Sequence, residues 1–175
     1  MYKIFYMDKC ADGQTDSAIQ RVLSNYFEMP NADILRTENG KPYIESNPLF
    51  LSVSHTKDKL FLVFADENVG IDAEQMQREV QFCHIVKKFP LEEREEITSI
   101  QSFLRHWTAK ESVVKWLGGT LARDLYTLTF SNGVMRYREI PLPVHFAFLQ
   151  LDECLLCLCA EHLQEEKIYI EKIVL

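Results

Sequence analysis

Asp72 and Glu74 stand two residues apart in VGIDAE. In an extended strand, positions i and i+2 share a face, while Val69, Ile71 and Ala73 take the other. Neighbouring carboxylates repel unless a cation or a proton lies between them. Taken alone, the pair also reads as the solvated face of a strand end. A third carboxylate, Glu111, lies in SIQSFLRHWTAKESVVKWLGG. At roughly 100° per residue, Ile100, Phe103, Trp107, Val114 and Leu117 gather on one side of a helix, and Glu111 falls in their sector. A charged carboxylate on a packing face is costly unless it is paired. Lys115, at i+4, is one partner within reach, but such a pair leaves the interruption of the apolar stripe unexplained. Together, Asp72, Glu74 and Glu111 would supply three hard oxygen ligands. That set suits Mg²⁺, which keeps waters and leaves positions for substrate phosphates; Mn²⁺ accepts the same donors. Lys110 and Lys115 flank the third carboxylate and could hold further phosphate oxygens. No Walker-type GxxxxGK[ST] or Rossmann GxGxxG occurs, so a nucleotide-like ligand would have to be bound in another way.

These side chains need elements to position them. Asp16 to Phe27 reads as a helix, with Ala18, Ile19, Val22, Leu23 and Tyr26 at helical spacing, closed by Pro30 and Asn31. Ile34–Thr37 and Tyr43–Glu45 flank Asn39-Gly40, a hairpin turn. LSVSH, LFLVFA and VGIDAE follow as short strands separated by polar turns. Val80–Phe89 and Leu91–Leu117 carry helical spacing, with Pro90 between them. Gly118-Gly119 occupies the place of a left-handed helix cap. LYTLTF, VMRYREI, VHFAFLQL and CLLCLCAE then read as strands, with IYIEKIVL as a further candidate. The order helix, strands, helices, strands gives an α+β pattern of two comparable halves.

Composition narrows the function. The chain has 175 residues, 47% of them hydrophobic and 26% charged, which suits one ordinary globular unit. A net charge of −7 argues against a nucleic-acid or anionic-membrane partner, which would need a basic face. It leaves room for a local phosphate pocket. No apolar run approaches the roughly 20 residues that span a bilayer. The start, MYKIFYMDKC, lacks a signal-peptide core, so a cytoplasmic location is expected. Five cysteines, Cys10, Cys83, Cys154, Cys157 and Cys159, are an odd number without export, against a disulfide framework. The CxxC at Cys154–Cys157 has no second pair to complete a zinc site, and reads as packing.

NGKPY (39–43), LSVSHT (51–56), VGIDAE (69–74), KKFPLEE (87–93) and FLRHWTAKESVVK (103–115) occur in the order and spacing of 4′-phosphopantetheinyl transferases. The resemblance is to the monomeric, two-lobed type that activates surfactin-like peptide synthetases. It implies two pseudo-symmetric lobes, here 1–76 and 77–175, each packing helix against a small antiparallel sheet, with the active site in the cleft between them. It further implies transfer of the 4′-phosphopantetheine arm of coenzyme A to a serine of an apo acyl or peptidyl carrier protein, releasing adenosine 3′,5′-bisphosphate. By position, Asp72, Glu74 and Glu111 resemble the Mg²⁺ ligands. Lys115 resembles a pyrophosphate-binding lysine. Ser54 and His55 resemble the pair that meets the coenzyme A phosphates, and Lys41 a lysine near the nucleotide. Glu111 is also the candidate base, directly or through a water. Alone, Lys41 reads as a hairpin charge and His55 as a strand-end histidine. Three features depart from the family pattern. Ala73 replaces a branched residue, Gly118-Gly119 replaces Gly-Lys-Gly, and no basic segment precedes the first helix. Two rival readings accompany transfer: a non-catalytic coenzyme A or carrier-binding relative, and a Mg²⁺-dependent phosphodiesterase.

Overall fold

The computed structural model describes residues 1–8, 13–45 and 48–174. Cys10 lies outside them. Within them the chain is α+β, with small antiparallel sheets packed against helices. It begins with β1 (Tyr2–Asp8), followed by α1 (Thr15–Tyr26) and the hairpin β2 (Ile34–Arg36) and β3 (Pro42–Ile44). Then come β4 (Phe50–His55), β5 (Lys59–Ala65) and β6 (Val69–Gln75). Three helices follow: α2 (Phe82–Val86), α3 (Leu91–Glu96) and α4 (Ile100–Leu117). After the short α5 (Leu121–Asp124) the chain returns to strands: β7 (Leu128–Ser131), β8 (Val134–Tyr137), β9 (Ile140–Pro141), β10 (His145–Leu151), β11 (Cys154–Ala160) and β12 (Ile168–Lys172).

Two sheets carry the architecture. One runs in the order β12-β1-β5-β4 and the other β10-β11-β6. Each includes a strand from the far end of the chain: β12 pairs parallel to β1, and β6 pairs antiparallel to β11 with Asp72 opposite Cys157. The inner faces meet in one core that joins Ile4, Phe61 and Val63 to Ile71, Leu156 and Leu158. The odd positions of VGIDAE, Val69, Ile71 and Ala73, are buried in that core, as their alternation requires.

Between β4 and β6 no backbone ladder forms, and serines take its place. Ser52 Oγ accepts from the Ile71 N–H at 3.2 Å, and Ser54 Oγ accepts from the Ala73 N–H at 3.1 Å. Both hydroxyls are buried, so each satisfies an amide that would otherwise be costly to bury. The alternation of LSVSH is thus a polar seam between the two sheets.

The structure corrects the sequence reading in three places. The N-terminal YKIFYMD is a strand at the heart of the first sheet, paired on both sides. It is buried on both faces, which erases the period-two signal. The Val80–Phe89 helix shrinks to one turn, Phe82–Val86. The 91–117 helix is two, broken where Ser99 caps α4 in a reciprocal box with Ser102. Gly118 does close α4 in the left-handed conformation, at φ 65°.

Helix α4 is buried over more of its circumference than an amphipathic stripe. Phe103, Leu104, Ala109, Val113 and Val114 are buried, but so are His106, Thr108, Lys110 and Ser112, whereas Leu117 is 39% exposed. Trp107 packs against Phe103 at 5.7 Å between ring centroids, in a cluster with Phe89 and Ile97. Trp116 is half-buried against the cluster that includes Cys157 and Cys159. All four described cysteines are free; Cys154, Cys157 and Cys159 are buried as packing groups.

Candidate active site

Gly70 is the residue that lets α4 reach β6. A Cβ built there would lie 2.0 Å from the Ser112 carbonyl oxygen. Only a residue without a side chain permits that approach. It brings the even face of β6, with Asp72 and Glu74, under the turn of α4 that carries Glu111. One carboxylate oxygen from each of Asp72, Glu74 and Glu111 lies within 4.8 Å of the others. Among the described residues this is the one such group of three.

Asp72 is the anchor. Lys115 Nζ donates to Asp72 Oδ1 at 2.8 Å, and Ser54 Oγ donates to the same oxygen at 3.0 Å. Asp72 is 3% exposed, yet its second oxygen, Oδ2, has no hydrogen-bond partner. A buried carboxylate oxygen without a donor is unfavourable unless a cation occupies its lone pairs. Glu74 receives the guanidinium of Arg78, four residues further along, past the turn that ends β6. Burial pushes the Glu111 carboxyl up to about 8, with the charges of Asp72 and Glu74 adding to it and Lys115 opposing. Three clustered carboxyl groups, an unpartnered Oδ2 and an all-oxygen donor set fit a hard divalent cation.

A groove of 280 Å³ adjoins this cluster through Lys115. Arg36, Lys41 and Lys115 line it with His55 and the cap glycines Gly118 and Gly119, and no carboxylate does. Arg36 and Lys115 are paired with Asp16 and Asp72 outside that lining, whereas Lys41 has no carboxylate partner among the described residues, so the lining as a whole favours an anion. Lys41 Nζ donates to Asn68 Oδ1 at 2.8 Å and to the Val69 carbonyl at 3.4 Å. Burial lowers its ammonium to about 8, consistent with a cation that has neutral acceptors but no counter-charge. A second groove, of 470 Å³, meets the first at His55 and is lined by Lys57, Glu74 and Arg78.

The structure thus brings together Asp72, Glu74, Glu111 and Lys115, with Lys41 and His55 on the adjoining groove. Ser54 is present in another capacity: its hydroxyl is committed to Asp72 and to the Ala73 amide. Lys110 is elsewhere. Its ammonium is fully buried, bonded to Glu93 Oε2 at 2.9 Å and 3.7 Å from the centre of the Phe89 ring. An ammonium so enclosed is not available to a phosphate. The Lys115 pairing is with Asp72 across the interface rather than with Glu111 along the helix. Asn39 and Asn68 were not signalled by the sequence reading. Asn39 Nδ2 donates to the Gly118 carbonyl at 2.7 Å and Asn68 Nδ2 to the Trp116 carbonyl at 2.8 Å. These bonds tie two turns of the first half to the end of α4, satisfying carbonyls that a helix terminus leaves free. Asn beside Gly in a turn was the available sign.

Residues 68–151, the segment that holds all three carboxylates, match the family model of the 4′-phosphopantetheinyl transferase superfamily. The match bears out the resemblance drawn from the motifs. The 4′-phosphopantetheinyl transferase gsp of Aneurinibacillus migulanus is 28% identical over 107 residues, 57% of this chain and 45% of that protein. The 4′-phosphopantetheinyl transferase AcpT of Escherichia coli O157:H7 is 31% identical over 109 residues, 57% of this chain and 56% of that protein. The AcpT of Salmonella typhi is 31% identical, over 57% of each chain. The chain spans about half the length of the curated relatives it matches.

Proposed function

We propose that this chain moves the 4′-phosphopantetheine arm of coenzyme A to a serine of an apo acyl or peptidyl carrier protein, in a Mg²⁺-dependent reaction that releases adenosine 3′,5′-bisphosphate. The observation that carries it is the convergence of Asp72, Glu74 and Glu111, with Asp72 Oδ2 unpartnered, beside a groove lined by three cations. The names of the relatives and the superfamily match support the same chemistry.

In this account Asp72, Glu74 and Glu111 would hold Mg²⁺, which would supply charge to offset that of the diphosphate. Lys41 and Lys115, with His55, receive the coenzyme A phosphates. The carrier serine hydroxyl attacks the phosphorus attached to the pantetheine arm. A serine oxygen–phosphorus bond forms, and the diphosphate bridge breaks with its electron pair going to the nucleotide side. Lys115 would stabilise the charge that oxygen gains. Glu111 takes the serine proton, directly or through a water. Burial raises its carboxyl, and a divalent cation held by the cluster would favour the ionised form that a base needs. The nucleophile belongs to the carrier, so the chain needs no triad of its own.

The proposal also takes 1–76 and 77–175 as two lobes of one monomeric, cytoplasmic unit. No described helix is long and apolar enough to cross a membrane.

One assay separates transfer from its rivals. The protein is incubated with coenzyme A, Mg²⁺ and several apo carrier proteins, and the carriers are weighed by mass spectrometry. Transfer predicts a mass gain equal to the arm, lost in Glu111→Gln and Asp72→Ala. Binding without mass gain indicates a non-catalytic relative, and coenzyme A hydrolysis with an unmodified carrier indicates a phosphodiesterase.

A further inference from the structure

The three carboxylates are balanced by the cations Lys115 and Arg78. Asp72 has the Lys115 ammonium and the Ser54 hydroxyl on one oxygen. Glu111 lies beside the same Lys115 ammonium, one turn along α4. Glu74 has the guanidinium of Arg78. Only the last is an exposed side chain: Arg78 lies at 47% side-chain exposure, against 16% for Glu74. It lines the groove that also holds His55 and Lys57. Lys115 can keep its bond to Asp72 Oδ1 while a cation uses Oδ2. Arg78 holds Glu74 by Oε1, and its permanent charge stays within hydrogen-bonding distance of a carboxylate whose other role is to ligate.

We infer, on the metal-dependent reading proposed above, that Arg78 is a resident counter-cation that competes with the divalent ion for Glu74 and so sets the metal affinity of the site. A guanidinium within hydrogen-bonding distance of a ligand carboxylate offsets much of that ligand's charge and repels a dication a few ångströms away. Arginine is permanently charged, so the competition does not fade with pH. With a divalent ion on Glu74, the guanidinium would be left in the groove it lines with Lys57.

The test is Mn²⁺ binding to the full chain, read from the electron paramagnetic resonance signal of free Mn²⁺, without coenzyme A or carrier. Arg78→Gln removes the charge, Arg78→Lys retains it, and Glu74→Gln removes the contested ligand. Arg78 is exposed, and circular dichroism verifies that each variant folds. The expected result is a dissociation constant about five- to tenfold lower in Arg78→Gln, little change in Arg78→Lys, and weakened binding in Glu74→Gln. Equal or weaker binding in Arg78→Gln overturns the inference and shows that Arg78 orients Glu74 instead; the metal-dependent reading then stands. No Mn²⁺ binding in either the unaltered chain or Arg78→Gln overturns both.

Discussion

Gly70 and Ser112 meet so closely that a methyl group on Gly70 would lie 2.0 Å from the Ser112 carbonyl oxygen. Neither side can yield cheaply, because the obstacle is the backbone of α4. Gly70→Ala therefore drives β6 and α4 apart, with a loss of about 2–3 kcal/mol of stability. Urea denaturation measures it. Divalent-ion binding should fall as well, because Asp72 and Glu74 no longer face Glu111.

Glu111 gives the protein a pH signature. Burial and the neighbouring carboxylates raise its folded-state value to about 8 from an ordinary 4.5. Between those values the folded chain binds the proton more tightly than the unfolded chain. Stability from this group is fully present below about pH 4.5 and is lost as pH rises toward 8. In the presence of a chelator, the melting temperature of Glu111→Gln relative to the unaltered protein should climb across that window. A difference that stays flat from pH 5 to 8 contradicts the raised value.

Ser54 joins the seam between sheets to the candidate ligand Asp72. Ser54→Ala leaves the buried Ala73 amide without an acceptor and removes one donor from Asp72. The expected cost is about 1–3 kcal/mol. Hydrogen exchange at the Ala73 amide should quicken with it, and unchanged protection there would contradict the seam.

Lys110 and Glu93 form a fully buried ion pair. His106 Nδ1 lies 3.4 Å from the other Glu93 oxygen, and the Lys110 ammonium sits over Phe89. Removing one charge strands the other, so Lys110→Met should cost about 3–5 kcal/mol. The double variant Lys110→Met, Glu93→Leu should recover much of that loss. A double-mutant cycle with no coupling contradicts the pairing.

Much of this was legible in the chain. The Asn39-Gly40 hairpin, strands β4 to β6 and the cap at Gly118 follow from turn chemistry and alternation. The union of Asp72, Glu74 and Glu111 follows from carboxylates standing where charge is costly. What escaped had physical causes. β1 is buried on both faces, so its apolar run has no period. Ser99 marks the start of α4, but Ser102 completes the box where a glutamate is the familiar partner. Lys110 is one residue, about 100° of helix, from Glu111, so the two cannot face the same site. Asn39 and Asn68 act through tertiary contacts to the end of α4, and Arg78 meets Glu74 only because the turn after β6 folds back on the strand.

The central claim is that acids from two distant parts of the chain close on one divalent ion. Crystals of the protein grown with Mn²⁺ and coenzyme A, measured at a wavelength where manganese scatters anomalously, test it directly. The account predicts one strong anomalous peak bonded to oxygens of Asp72, Glu74 and Glu111, with the coenzyme A diphosphate beside it and Lys41 and Lys115 on its phosphates. A manganese peak away from these residues, or Glu111 turned from the other two acids, would contradict it.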